Sequence, residues 1–422
     1  PCEKKCRRAQ LDQPVNIRAL KRFVAEYPVD GDGAAFLLPK PAPRKSEKVA
    51  VVGSGPAGLT AAYYLANLGY QVTVYEALPV VGGMLAVGIP EYRLPKKTLK
   101  REIEYLENLG VAFKTNVRVG KDVSLAELRK KYNAVFIAVG AHRGQKLGIP
   151  GEDAQGVCDA VSFLRAINLG QAEDLKGKTV LVIGGGNAAV DAARSSLRLG
   201  ARKVTMVYRR SKAETPALEE EIEEAEREGI EIRTLVAPKR VVVSSGRVSG
   251  LECLECTLGE FDASGRRRPV PKEGSESVLE ADVVIAAVGQ AVDLDGLAEG
   301  LGATKRGTLA VLDESGLTSL DGVFAGGDCV TGPDTVIEAI AAGKRAAAAI
   351  DKYLGGEGVL VRKPEVVRKL SGDLLETETP RQPVPCVPVE KRTSSFTEVE
   401  LGYTAGMAQA EACRCLRCDV RD

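Results

Sequence analysis

The stretch from Lys48 to Glu76, KVAVVGSGPAGLTAAYYLANLGYQVTVYE, constrains the fold more than any other part of the chain. A short β-branched run, Val49 to Val52, leads straight into Gly53-x-Gly55-x-x-Gly58. Leu59 to Leu68 then carries helical periodicity, and Gln71 to Tyr75 alternates again before Glu76. That order reads as one strand-helix-strand unit. The first glycine permits a tight turn, the second lets backbone approach a pyrophosphate, and the third lets the helix pack close to the strand. Pro56 and Ala57 open the helix, whose free N–H groups face the phosphates. Glu76 stands where a carboxylate accepts ribose hydroxyls and repels a 2′-phosphate.

A chain of 422 residues has room for two or three domains with full cores. Its formal net charge of +1 gives no reason to invoke nucleic acid or an anionic membrane surface. The longest apolar runs, Ala134 to Ala141 and Val283 to Val288, have the length of buried strands, not of a membrane span. No charged-then-apolar leader opens the sequence, so a soluble, cytoplasmic protein is expected. Two of the ten cysteines fall in the first six residues and three in the last ten, which suits metal ligation better than a disulfide framework.

At the start, Cys2 and Cys6 precede a helical pattern with Ile17, Leu20 and Val24 on one face. Two thiolates cannot complete an iron-sulfur cluster, which needs about four ligands. Asp30 to Glu47 reads as a linker. After Glu76, Gly82 and Gly83 let backbone approach a flat ligand, Pro90 and Pro95 suggest an extended Glu91 to Leu94, and Lys97 to Leu109 is an amphipathic helix. Val111 to Val119 reads as a strand pair. Tyr132 to Gly140 is a buried strand running into a turn, Lys146 to Asp153 a crossover, and His142 a solvated loop residue.

A second nucleotide unit, TVLVIGGGNAAVDAARSSLRLGARKVTMVYRRS, follows with the turn Gly184-x-Gly186-x-x-Ala189. Where the first unit closes on Glu76, this one closes on Arg209 and Arg210, a pair able to clamp a 2′-phosphate and so to prefer NADPH. Glu219 to Glu228 reads as a solvent-facing charged helix, Val241 to Leu258 as a β meander and Asp262 to Glu276 as a charged turn. Cys253-x-x-Cys256 falls in an alternating strand, where residues three apart point to opposite faces, so a redox pair is not expected there.

Val283 to Gln290 repeats the earlier AVFIAVG turn and marks a return to the first domain. Thr318 to Asp328 ends a strand on an Asp able to accept a hydrogen bond from a sugar-alcohol chain. The helix from about Thr335 to Leu354 aims its positive end above it, as suits FAD. Gly355 to Pro388 is a polar extension. From Phe396 to the end the chain reads as an amphipathic helix running into Cys413-x-Cys415-x-x-Cys418, a ligand set for an iron-sulfur cluster or zinc.

GSGPAGL, GGMLAVGIPEYRLP, GGGNAAVDAAR, VYRRS, GGDCVTGP and TVIEAIAAGKRAA, in this order, resemble the glutamate synthase small subunit. They are also similar to the NADPH-oxidising subunit of ferredoxin transhydrogenases and to the N-terminal part of dihydropyrimidine dehydrogenase. The resemblance implies an α/β fold of two Rossmann-like, glutathione-reductase-like domains with a short helical N-terminal iron-sulfur segment and a C-terminal Cys-rich helix. The implied layout is an iron-sulfur segment over 1–45, an FAD domain over 46–153 and 290–356, an NADPH domain over 154–289, and an extension over 357–422. It assigns Gly53, Gly55, Pro56, Ala57, Gly58, Glu76, Gly83, Met84, Arg93, Val119, Ala138, Gly140, Asp328, Thr335 and Val336 to FAD. Gly184, Gly186, Asn187, Ala188, Arg209, Arg210 and Gly289 fall to NADPH, and Cys2, Cys6, Cys413, Cys415 and Cys418 to [4Fe-4S] clusters. In relatives further cysteines precede the segment matching Pro1 to Cys6, which suggests a piece of a longer polypeptide. Lys21 stands where relatives often have Glu or Gln as a non-cysteine ligand. The closing FTEVELGYTAGMAQAEACRCLRCD resembles a leader that relatives carry at the other end.

The function implied is electron entry from NADPH through FAD and iron-sulfur clusters to a ferredoxin-type acceptor within a hetero-oligomeric complex, the protein contributing orientation rather than a catalytic side chain. Ferredoxin-dependent NADP reduction and a flavin-containing docking module are the alternatives.

Overall fold

The computed structural model describes residues 2–27, 41–262, 265–360 and 378–418. They fall into two compact units: Pro41–Leu360 with Val389–Thr397, and Pro1–Lys40 with Val361–Pro388 and Glu398–Asp422.

In the larger unit β1 (Lys48–Val52) runs parallel to β2 (Gln71–Tyr75), with Lys48 opposite Gln71 and Val52 opposite Tyr75. The helix Pro56–Asn67 connects them; its proline sits in the first turn, where a missing N–H costs nothing. β3 (Ala112–Lys114) and β4 (Ala134–Ile137) extend the same sheet. The chain then crosses through β5 (Arg143–Gly144) to a second parallel sheet of β6 (Val157–Asp159), β7 (Thr179–Ile183), β8 (Lys203–Tyr208) and β9 (Glu231–Thr234). β10 (Val236–Ser244), β11 (Arg247–Phe261), β12 (Arg267–Pro271) and β13 (Ser277–Glu280) form an antiparallel sheet of their own. β14 (Val283–Ala286) returns to the second sheet, β15 (Gln290–Ala291) pairs antiparallel with β5, and β16 (Val323–Ala325) completes the first. The strand orders are β16-β4-β1-β2-β3 and β6-β14-β7-β8-β9. Each sheet has its fingerprint strand near the middle, so both glycine turns open at the carboxyl edge of a doubly wound sheet.

The first sheet is buried on both faces, which is why Val49, Ala50 and Val51 form an unbroken apolar run. On one face the helices Pro56–Asn67 and Val336–Tyr353 pack together through Ala61, Leu65, Ala346 and Ile350. Full burial of Leu65 and Ile350 contributes about 1.5–3 kcal/mol each. The helices meet closely because Gly343 has no side chain: a Cβ there would lie 2.2 Å from the Ala57 carbonyl oxygen.

Several local expectations give way to longer-range contacts. Pro90 to Leu94 is a turn, not an extended stretch, since the Pro90 carbonyl accepts from the N–H groups of Arg93 and Leu94. Val111 to Val119 supplies only β3 and an isolated bridge from Val119 to Val123. The charged turn expected at Asp262 to Glu276 contains β12, whose partner is the end of β11. The helix Glu219–Arg227 does not simply face solvent. Glu221 and Glu228 beside it are buried against Arg194 and Arg198, at 2.9 Å for Glu221–Arg194 and 2.7 Å for Glu228 to each arginine.

The smaller unit joins the two ends of the chain, which the sequence layout kept apart. Asn16 caps the helix Ile17–Glu26, donates its backbone N–H to Glu411 and its amide to the Tyr403 hydroxyl. Arg414, 2% exposed, pairs with Glu411 and Asp12, and Arg8 holds Asp12 from the other side. The closing helix spans only Ala405–Cys413, later than the start expected at Phe396. Most of the expected linker, 30–40, lies outside the described residues, as do 361–377 of the extension; 41–47 carry no helix or strand. Among the described residues no helix is long and apolar enough to cross a membrane.

Candidate dinucleotide sites

The first glycine turn is built so that only one of its three glycines faces open space. A Cβ on Gly53 (φ +101°) would lie 2.3 Å from the Ala138 carbonyl oxygen, and one on Gly58 2.0 Å from that of Gly53. One on Gly55 meets nothing within 4 Å. The strand and helix are therefore clamped together on one side, while Gly55 leaves room for a phosphate to reach the backbone. This is the cradle a dinucleotide needs.

The cleft above the turn has two parts. One is lined by Gly53, Gly55, Glu76, Gly83, Val119 and Ala138; the other by Pro56, Ala57, Met84, Gly140, Asp328, Thr335 and Val336. Gly58 lies beneath, as its packing role requires. Glu76 is held in place by the turn: one carboxylate oxygen accepts from the Ser54 N–H (3.0 Å) and hydroxyl (2.5 Å), the other from the Leu78 N–H (2.8 Å). A carboxylate has about four acceptor sites, so capacity for a ribose hydroxyl remains. Burial pushes the Asp328 carboxyl up to about 6. The Thr335 hydroxyl caps the helix Val336–Tyr353 by accepting the Glu338 N–H.

The second turn repeats the device. A Cβ on Gly184 would lie 2.3 Å from the Ala287 carbonyl oxygen, whereas one on Gly186 meets only Pro216, at 3.8 Å. Gly184, Gly186, Asn187, Ala188, Arg209, Arg210 and Gly289 all line the cleft. The expected arginine pair is split, however. Arg209 is exposed, but Arg210 is buried, with its Nη2 on Asp262 (2.6 Å) and its Nε on the Arg267 carbonyl (2.8 Å). The β11–β12 hairpin supplies those partners, and the same hairpin brings Arg266 to the cleft.

Residues 47–343 match the family described as pyridine nucleotide-disulphide oxidoreductase. The chain belongs to that family. It is similar to the NADP(+)-dependent formate dehydrogenase subunit beta of Moorella thermoacetica, at 46% identity over 99% of this chain and 64% of that one. It is also similar to the NADPH-Fe(3+) oxidoreductase subunit beta of Geobacter sulfurreducens (41%, covering 99% and 68%) and to the glutamate synthase [NADPH] small chain of Escherichia coli (38%, covering 73% and 69%). The chain thus spans about two thirds of the length of these relatives. The first two alignments run through its closing segment, so that segment stands in the same order there. In fold it is similar to FprA from Mycobacterium tuberculosis, with a TM-score of 0.63 at 23% identity over 74% of this chain and 85% of that one.

As a pyridine nucleotide-disulphide oxidoreductase, this chain is a nicotinamide-dependent oxidoreductase related to glutamate synthase small chains. Its Cys253 and Cys256 do not suit disulfide chemistry. Both are buried in β11, and burial pushes the Cys253 thiol up to about 12 and raises that of Cys256. A thiol there yields almost no nucleophilic thiolate.

Two other side chains sit differently from expectation. Arg93 is not among the residues lining either part of the first cleft; it pairs with Asp191 (2.8 Å) and Glu221 (3.0 Å), because Asp191 is buried and needs a cation. His142, expected in solvent, lines both parts of the first cleft. Its pKa is lowered by burial and by neighbouring Arg165. No local signal marks it, since Arg165 arrives on the helix Ala160–Asn168 of the other lobe. Of the terminal cysteines, Cys2, Cys413 and Cys418 are exposed and Cys6 and Cys415 half-buried. Among the described residues no three His, Cys, Asp or Glu side chains gather into a metal-holding group.

Proposed function

We propose that the protein is the NADPH-oxidising FAD module of a larger redox assembly. Held by the turn at 53–58, Glu76 and the cleft around Asp328 and Thr335, FAD would supply hydride acceptance from a nicotinamide and single-electron release to an iron-sulfur or ferredoxin-type acceptor. The observation that carries this reading is that the two clefts share walls: Val161, Asn187, Ala188, Gln290, Asp334 and Thr335 line both. Such shared walls let two dinucleotides meet ring to ring, and positioning is most of what hydride transfer asks of a protein. Met84, Leu85, Ile89, Val161 and Leu164 give the meeting place an apolar lining that excludes water. Glu76 suits a ribose with free hydroxyls in the first cleft. Arg209 with Arg266 suits a 2′-phosphate in the second, in keeping with the NADP or NADPH in the relatives' names.

Cys2 and Cys6 at one end and Cys413, Cys415 and Cys418 at the other are proposed as partial ligand sets for [4Fe-4S] clusters, each short of the about four ligands that a cluster takes. The relatives' names, subunit beta and small chain, support a complex with partner subunits.

Anaerobic mixing with NADPH tests the reading. A yellow protein that bleaches within seconds supports it; a flavin that stays oxidised favours a docking module, and absence of flavin sinks it. Iron and sulfide analysis of the same sample tests the cysteine assignment.

A further inference from the structure

Cations in the first part of the flavin cleft are not equally employed. Arg118 is neutralised by Asp293 at 2.5 Å, but Arg165 has no carboxylate within ion-pair distance among the described residues. Its Nη2 donates to the His142 carbonyl (2.9 Å) and approaches His142 Nδ1 (3.4 Å). Its Nε is buried and bonded to nothing among the described residues. A guanidinium that lines a nucleotide cleft with no carboxylate in ion-pair range is suited to receive an anion there.

The neighbouring imidazole is arranged to help. A guanidinium can only donate, so the approach of Arg165 makes His142 Nδ1 the acceptor and leaves the proton on Nε2. That nitrogen lies 3.5 Å from where a Cβ on Gly140 would stand, at the turn after β4 that lines the cleft. His142 lines both parts of the cleft, so it stands where a bound dinucleotide passes from one to the other. Gly53, Ser54 and Gly55 line the part that contains Arg165, and the phosphates of a dinucleotide belong at that turn.

We propose that Arg165, with His142 beside it, is a second grip on the pyrophosphate of FAD, reaching from the nicotinamide lobe into the flavin lobe. The glycine turn supplies backbone amides and Arg165 the charge that balances the phosphates. Since Arg165 stands on a helix of the second sheet's lobe, bound FAD ties the two lobes together. This rests on the first cleft holding FAD.

The test uses the full chain, stripped of flavin and titrated with FAD by flavin fluorescence at several salt concentrations. Arg165→Ala is expected to weaken FAD binding ~10- to 100-fold, the loss of a charge-assisted contact to phosphate, and to flatten the dependence of affinity on salt. Arg165→Lys should restore part of the affinity and the salt dependence, and His142→Ala should cost less than Arg165→Ala. The melting temperature of the flavin-free variants separates folding from binding. FAD affinity within twofold of the original at every salt concentration overturns the proposal. So does a weaker affinity with unchanged salt dependence and a lowered flavin-free melting temperature, which would make Arg165 merely a tether for the His142 loop. An unaltered protein that takes up no FAD sinks the flavin reading itself, and this proposal with it.

Discussion

Arg210 and Asp262 form an ion pair at 2.6 Å, with 7% of the arginine side chain exposed, and it anchors the β11–β12 hairpin beside the second cleft. Arg209, one residue earlier, is exposed and lines the second cleft. Arg209→Ala should therefore lower the preference for NADPH over NADH by ~10- to 100-fold, measured as the ratio of kcat/KM values. Arg210→Ala should instead cost about 1–3 kcal/mol of stability by removing the charge-assisted bonds that tie the hairpin to the chain after β8, with that ratio nearly kept. A variant of Arg210 that folds normally and loses its preference would reverse the assignment.

Gly55 and Gly58, which differ in what a methyl group would meet, give a cleaner dissection of folding from binding. Gly55→Ala has open space for its methyl group and an ordinary φ of −69°, so the melting temperature should hold while flavin uptake fails. Gly58→Ala drives a methyl group to 2.0 Å from the Gly53 carbonyl oxygen and should cost about 1–3 kcal/mol or more, seen as a lowered denaturation midpoint. Equal flavin contents in Gly55→Ala and the unaltered protein would remove the phosphate from this turn.

Asp328 makes the flavin-free protein pH-dependent. Its carboxyl is raised from 3.8 to about 6 by burial, so the folded state holds this proton more tightly than the unfolded chain. That contribution is fully present below about pH 4 and is lost as pH rises through about 6. Asp328→Asn should then raise stability at pH 7 by roughly 1–2 kcal/mol after allowance for partial exposure, and by nothing at pH 4. Thermal melts at the two pH values check the difference.

The buried thiols should be silent. In iron-free protein at pH 8, iodoacetamide should label exposed Cys2, Cys386, Cys413 and Cys418 and spare Cys253, Cys256 and Cys329 until denaturant is added. Cys253→Ser should leave NADPH oxidation unchanged; loss of turnover in that variant would restore a role for the pair.

Where the chain's pattern is local, the fold was legible. Gln71 to Tyr75 is β2 to the residue, and the helix expected from Thr335 to Leu354 is Val336–Tyr353 with Thr335 as its cap. Both glycine turns likewise carry their signature in a handful of adjacent residues. What escaped depends on partners far along the chain. Glu221 and Glu228 look like surface charges until Arg194 and Arg198 arrive from another helix. The ion pair of Arg93 with buried Asp191 has no local sign in the sequence, and His142 reads as a loop residue until Arg165 reaches it from the second lobe. The association of Asn16 with Tyr403 spans nearly the entire chain, beyond any periodicity.

The pairing of Arg143 and Gly144 with Ala291 and Gln290 means that the polypeptide leaves and re-enters the first lobe side by side. Two short strands bonded to each other hold the departing and returning chain in one register, so the lobe of the second sheet is joined to the first by a paired connection and not by two independent loops.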